Sequence, residues 1–202
     1  MKSSSGNVST VKKPAKKMTS PSAKNAKGKK RGLVIVITGN GKGKTSAALG
    51  LAFRASGSGL RSIIIQFMKG LPTGELEAAA KSGGLITIER YGSTRFCRPD
   101  DGSLDEHRQF TLEGYGRAKE VLAGAFFDIV ILDEIITAAK FGLLSDDDIL
   151  ALCGARQDAT ELVLTGRGAS DALIARADLV TEMKEIKHYY QAGVAPRRGI
   201  ED

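Results

Sequence analysis

Tryptophan is absent from this 202-residue chain and aromatic residues make up only 5% of it, so any core must be built from aliphatic side chains. Cysteine is nearly absent too. Cys97 and Cys153 lie far apart with no C-x-x-C pairing, which excludes a disulfide framework and leaves too few thiols for a metal centre. Cys153 closes the apolar run 149–153 and reads as a small core residue. No apolar stretch approaches the length of a membrane span, and the first residues lack the apolar core of a secretory signal, so a cytoplasmic protein is expected. The tail's Ser and Lys content faintly resembles an organelle transit peptide, but such peptides favour Arg. Residues 1–30 hold no acidic residue and no Arg, yet carry nine Lys among Ser, Ala, Gly and Pro. Such a segment buries too little apolar surface to offset its ordering entropy, and the expected organisation is a disordered tail, 1–30, and one domain, 31–202. Without those nine Lys the formal charge of +7 falls to about −2, so the domain itself carries no nucleic-acid footprint. The tail reads as a solvated extension, with weak attraction to nucleic acid or acidic surfaces as the minority reading.

What the domain does contain is a strand-loop-helix signature. The β-branched run 33–37 leads into Gly39-Asn40-Gly41-Lys42-Gly43-Lys44-Thr45, and a helix is predicted from Lys44 to about Ser56. Glycines turn backbone N–H groups inward, the helix start adds partial positive charge, Lys44 a full one, and Thr45 a hydroxyl for Mg2+. That is a phosphate cradle. The usual spacing G-x-x-x-x-G-K-[ST] would place a glycine at 38, where this chain has Thr38, so the loop is one residue short and an altered seating of the phosphates is expected. A second signature is the apolar strand 127–132 ending in Asp133-Glu134. Downstream of a phosphate loop it reads as a Walker B element, Asp133 holding Mg2+ through water and Glu134 acting as a base or binding a hydroxyl.

Further strands are predicted within 61–66, 85–91, 161–165 and 179–186, and helices over 75–81, 103–122, from Ser145 and from Ser170. Thr73, Ser103 with Glu106, and Ser145 are expected N-caps, with the Asp triplet 146–148 assigned to capping rather than to metal. His107 reads as an exposed polar helix residue. The loop 92–102 is long enough for a lid or binding loop, and Gly166-Arg167-Gly168 follows a strand so that Arg167 faces the same edge as the phosphate loop. The alternation of elements predicts an α/β fold with a mostly parallel sheet flanked by helices.

These motifs, in order, resemble the P-loop type of ATP:corrinoid adenosyltransferase. The resemblance rests on the short loop 38–45, Gln66-Phe67-Met68-Lys69-Gly70, Val130-Ile131-Leu132-Asp133-Glu134, Thr165-Gly166-Arg167-Gly168, Lys187-His188 with Gln191-Ala192-Gly193, and Arg198-Gly199-Ile200. It implies a RecA-like P-loop fold, usually a homodimer, that moves the 5'-deoxyadenosyl group of ATP onto Co(I) of a corrinoid with triphosphate leaving. The corrinoid would be cobalamin, cobinamide or cobyrinic acid a,c-diamide. It also implies Mg2+ or Mn2+ on Thr45 and Asp133, and an electron donor such as a reduced flavoprotein. Lys44, Thr45 and Glu134 are the implied catalytic residues. Implied ATP contacts are Gly39, Asn40, Gly41, Lys42, Gly43, Lys44, Thr45, Ser46, Arg54, Glu134 and Arg167, with Phe67, Met68, Phe96 and His188 on the corrinoid side. Phe96 would belong to a lid that strips the lower axial ligand from Co(II), or would anchor its loop. The chain departs from the family pattern in lacking a terminal aromatic and in keeping only Phe96 of an expected aromatic pair. Since Co(I) is itself a strong nucleophile, no Ser, Cys or His attacker is needed, and no triad is found. The rival readings are a P-loop ATPase or kinase cleaving at the γ-phosphate, and a non-enzymatic module tethered through its Lys-rich tail.

Overall fold

The computed structural model describes residues 31–95 and 103–201. Six strands form one sheet: β1 (Val34–Thr38), β2 (Ser62–Phe67), β3 (Ile86–Tyr91), β4 (Ile129–Asp133), β5 (Glu161–Thr165) and β6 (Leu179–Glu182). Their spatial order is β3-β2-β4-β5-β1-β6, and every pairing is parallel rather than mostly so. The continuous apolar runs of β2 and β4 are buried along their whole length, as a sheet covered on both faces requires.

Side-chain alternation divides the core in two. Ile64, Ile131 and Val163 face α1 (Lys44–Ser56), which offers Ala48, Ala52 and Ala55 at helical spacing and so lies close to the sheet. Ile63, Ile65, Val130 and Leu132 face the opposite layer. There α3 (Ser103–Gly124), α4 (Ile135–Lys140), α5 (Asp146–Ala155) and α6 (Asp171–Arg176) contribute Leu122, Ile135, Leu152, Cys153 and Leu173. α2 (Gly74–Ala80) and the 3-10 turn Tyr189–Ala192 complete the described elements. No helix among the described residues is long and apolar enough to cross a membrane.

Most boundaries follow the sequence reading, with informative departures. Ser145 caps α5 in a reciprocal capping box with Asp148, and Ser170 caps α6 through Leu173 N. Thr73 stands at the N-cap of α2 but its side chain makes no capping bond. α3 starts at Ser103, whose side chain, with Phe96 and Cys97, lies outside the described residues. β6 ends at Glu182, four residues before its predicted end, with Met183 N–H donating to Thr38 O as the last bond to β1. His107 is a correction: it is fully buried, its Nε2 bonded to Arg95 O at 3.1 Å, because α3 turns that residue inward against the chain leaving β3.

Candidate active site

The strand order builds the site. β5 lies between β1 and β4, so the carboxyl ends of three adjacent strands deliver the phosphate loop, Thr165 and Asp133-Glu134 to one edge. β2 pairs with β4 in the register Gln66↔Asp133, which brings the segment after β2 alongside. A cavity of about 670 Å³ opens at this edge, where open α/β sheets bind their ligands. Its wall takes in the loop from Asn40 to Ser46, Lys69, Glu75, Glu134, Arg167, His188 and the segment 199–201.

In the loop, Gly39 has φ 100°, and a Cβ there would stand 2.4 Å from Met183 O, so only glycine fits. Gly41 N donates to Met183 O at 2.7 Å, tying the loop to the end of β6. Thr38, standing where the longer loop would have glycine, accepts from Ala169 N through its hydroxyl at 3.3 Å and so joins β1 to the segment after β5. Lys44 is buried, and its ammonium donates to Gly39 O at 2.8 Å and Gly41 O at 2.9 Å. Burial lowers its pKa from the ordinary lysine value, an effect that Glu134 and Asp133 oppose.

Asp133 is fully buried and surrounded by donors. Oδ1 accepts from Thr45 Oγ1 at 2.9 Å and from Thr165 Oγ1 at 2.7 Å; Oδ2 accepts from Lys69 Nζ at 2.6 Å and Gln66 Nε2 at 3.3 Å. Glu134 adopts a left-handed conformation, φ 64°, which costs a non-glycine residue about 1 kcal/mol or more. Two threonines hold it there: its N–H donates to Thr165 Oγ1 at 2.9 Å, and its carboxylate accepts from the Thr137 hydroxyl. Thr137 also accepts from Arg167 N at 2.9 Å, so one side chain fixes both Glu134 and the backbone of the Thr165–Gly168 segment.

The segment 187–201 folds across the loop. Glu201 accepts from the Tyr189 hydroxyl and from Arg197, and its carboxylate lies 3.8 Å from Lys42 Nζ. His188 Nδ1 accepts from Tyr190 N, which starts the 3-10 turn and leaves the ring on the cavity wall.

Of the residues singled out from sequence, Asn40, Gly41, Lys42, Gly43, Lys44, Thr45, Ser46, Glu134, Arg167 and His188 meet in this cavity. Others do not. Arg54 is exposed in the last turn of α1, about 15 Å along the helix from Lys44. Phe67 is wholly buried in the core, with α3 packed so closely that a Cβ on Gly114 would lie 2.9 Å from its ring. Its side chain therefore faces protein rather than the cavity. Met68 is half-buried with φ 60°, a turn that aims Lys69 at Asp133. Lys69 and Thr165 were expected at this edge as part of their motifs but without an assigned role, whereas Glu75 and Thr137 were not among the candidate site residues. Thr137 sits three residues after Glu134, the one signal a helix start would have given, whereas Glu75 reaches the site only through strand order.

Comparison with known proteins agrees with the geometry. The family described as ATP:corrinoid adenosyltransferase BtuR/CobO/CobP matches residues 30–201. A corrinoid adenosyltransferase of Pseudomonas aeruginosa is 36% identical over 172 residues, 85% of this chain and 84% of that one. The corrinoid adenosyltransferases of Escherichia coli K12 and Salmonella typhimurium are each 34% identical, over 85% of this chain and 86% of theirs. A match this long, spanning the phosphate loop, the Asp133-Glu134 strand end and the segment 187–201, places the chain in the ATP:corrinoid adenosyltransferase family.

Proposed function

We propose that this protein transfers the 5'-deoxyadenosyl group of ATP to the Co(I) of a corrinoid substrate, in the synthesis or salvage of adenosylcobalamin. Cobalt attacks C5', a Co–C bond forms, the C5'–O bond breaks, and triphosphate leaves with the bonding electrons. The observation that carries this reading is the family match across residues 30–201, which includes every described residue of the cavity wall.

The protein's part is to orient C5' and to stabilise charge gathering on the triphosphate. Lys44 gives up the Gly39 and Gly41 carbonyls for phosphate oxygens, while Lys42, Arg167 and the loop amides supply further donors. Asn40 and Glu134 hold ribose hydroxyls, with Glu134 fixed for that task by Thr165 and Thr137. His188, on the cavity wall, faces the corrinoid side.

A divalent ion suits the residues present: a threonine hydroxyl and a buried carboxylate, 2.9 Å apart, are hard oxygen donors, and Asp133 already attracts a cation to Oδ2. Thr45 and Asp133 would hold Mg2+ or Mn2+, which supplies positive charge to the departing triphosphate. The same reading takes in a homodimer in the cytoplasm and a reduced flavoprotein as electron donor.

Incubation with ATP, Mg2+ and chemically reduced corrinoid tests the proposal. The expected products are triphosphate and a light-sensitive corrinoid with the spectrum of a cobalt-carbon bond. ADP and phosphate in their place would mark a γ-phosphate-cleaving enzyme and overturn the reading.

A further inference from the structure

Asp133 has no free acceptor position. Two hydroxyls occupy Oδ1, an amide and an ammonium occupy Oδ2, and the whole residue is buried. The ammonium of Lys69 lies 2.6 Å from Oδ2 and 3.3 Å from Thr45 Oγ1. It therefore stands between the hydroxyl and the carboxylate that the proposed function gives to a divalent ion. One position is claimed by two cations. At such separations an ammonium and a divalent ion repel strongly in a site of low effective dielectric, whereas a buried carboxylate with neither is itself costly.

We propose that Lys69 is an exchangeable counter-ion, holding the cation position at Asp133 and Thr45 until metal and polyphosphate enter together. Lys69 is suited to exchange. It sits on the loop after β2, its side chain is 27% exposed, and the left-handed Met68 before it aims a long flexible stem along the cavity wall. Glu75, on the same wall and joined to Gln66 Nε2 at 3.2 Å, offers one anionic destination, and the incoming phosphates offer another. A metal ion arriving alone must break the Lys69–Asp133 pair without compensation. A metal ion arriving with polyphosphate gives Lys69 a new anionic partner. The two ligands then bind with positive coupling, and the coupling is reciprocal.

This inference rests on the metal assignment in the proposed function, and Mn2+ titration separates the two. Mn2+ is titrated into the full chain with and without inorganic triphosphate and followed by electron paramagnetic resonance, with the ion complexed by triphosphate alone subtracted. In the unaltered protein, Mn2+ binds weakly alone and tightly with triphosphate. Lys69→Met is expected to strengthen binding of Mn2+ alone by roughly tenfold or more, and to shrink the gain from triphosphate. Lys69→Arg keeps the charge and stays close to the unaltered protein. Unchanged or weaker binding of Mn2+ alone to Lys69→Met overturns the proposal. Lys69→Gln, which keeps a donor toward Asp133, replaces Lys69→Met should the latter not fold. Failure of both neutral variants to fold even with Mn2+ and triphosphate makes Lys69 a fixed structural partner and also overturns it. If the unaltered protein binds no Mn2+ even with triphosphate, the metal assignment falls too, while the adenosyl-transfer products remain a separate measurement.

Discussion

Thr165 shows how much of the site depends on side chains that never touch a substrate. Its hydroxyl donates to Asp133 and accepts from Glu134 N–H, so one buried group sets the carboxylate and the strained residue after it. Thr165→Val keeps the shape and removes both bonds, leaving the Glu134 N–H without its acceptor. Stability should fall by about 1–3 kcal/mol in urea unfolding, with the slope against denaturant unchanged. Adenosyl transfer should fall too, because Glu134 loses the anchor for its left-handed turn. A stability change under about 0.5 kcal/mol would show that the network tolerates the loss. The phosphate loop and the Asp133-Glu134 pair were legible in the sequence because each is a local pattern at the end of its own strand, β1 or β4. Lys69 and Thr165 were legible as members of their strand-end motifs, but their bonds to Asp133, and the presence of Glu75, follow from the order β2-β4-β5-β1, a non-local fact that no window of residues contains. His107 was misread for a related reason: a polar residue in a first helical turn looks solvent-facing until the chain after β3 packs over it.

At the scale of elements, strands were the easier part to read, because β-branched runs buried on both faces leave little choice of conformation. α4 was missed: it begins directly after β4, spans only six residues and has no side-chain cap to mark its start. The segment 187–201 was legible as a cluster of specific groups, but not as a strap across the phosphate loop. Lys42 ties it to the loop through the Ile200 carbonyl and the Glu201 carboxylate, and that carboxylate also clasps the segment to itself. The hydrogen bonds from Arg197 and Tyr189 hold Glu201 down at a pKa of about 2, against an ordinary value of 4.5. A carboxylate with a depressed pKa in the folded state contributes fully above its unfolded value, and that contribution is lost as pH falls toward the folded one. The clasp that Glu201 makes with Arg197 and Tyr189 should therefore be intact above about pH 4.5 and released as pH falls through about 2. An NMR titration of the Glu201 carboxyl carbon checks this, and the midpoint should move up toward 4.5 in Arg197→Ala. A midpoint already near 4.5 in the unaltered protein would mean that this pair does not clasp the segment.

For the molecule as a whole, the two faces of the sheet divide the work. The α1 face carries the phosphate loop's helix on a close-packed alanine seam, while α3, α4, α5 and α6 enclose the larger apolar cluster opposite. The site sits at the carboxyl edge between these layers, framed by the rigid centre of the sheet on the β4 side and by β6 on the other. β6 differs from the central strands: among the described residues it pairs only with β1, and its four residues are all exposed. Yet Gly41 of the cradle donates its N–H to the carbonyl of Met183, just past β6.

Deuterium uptake should make that attachment visible. The amides of Gly41 and Met183 should exchange together, and well before that of Ile64 in the wholly buried β2, because opening at a sheet margin needs far less free energy than unfolding the interior. Added triphosphate should slow the pair jointly; slowing of Gly41 alone would uncouple the two. A grip hung from the sheet's outermost seam can loosen to discharge a spent polyphosphate while the rest of the protein stays shut.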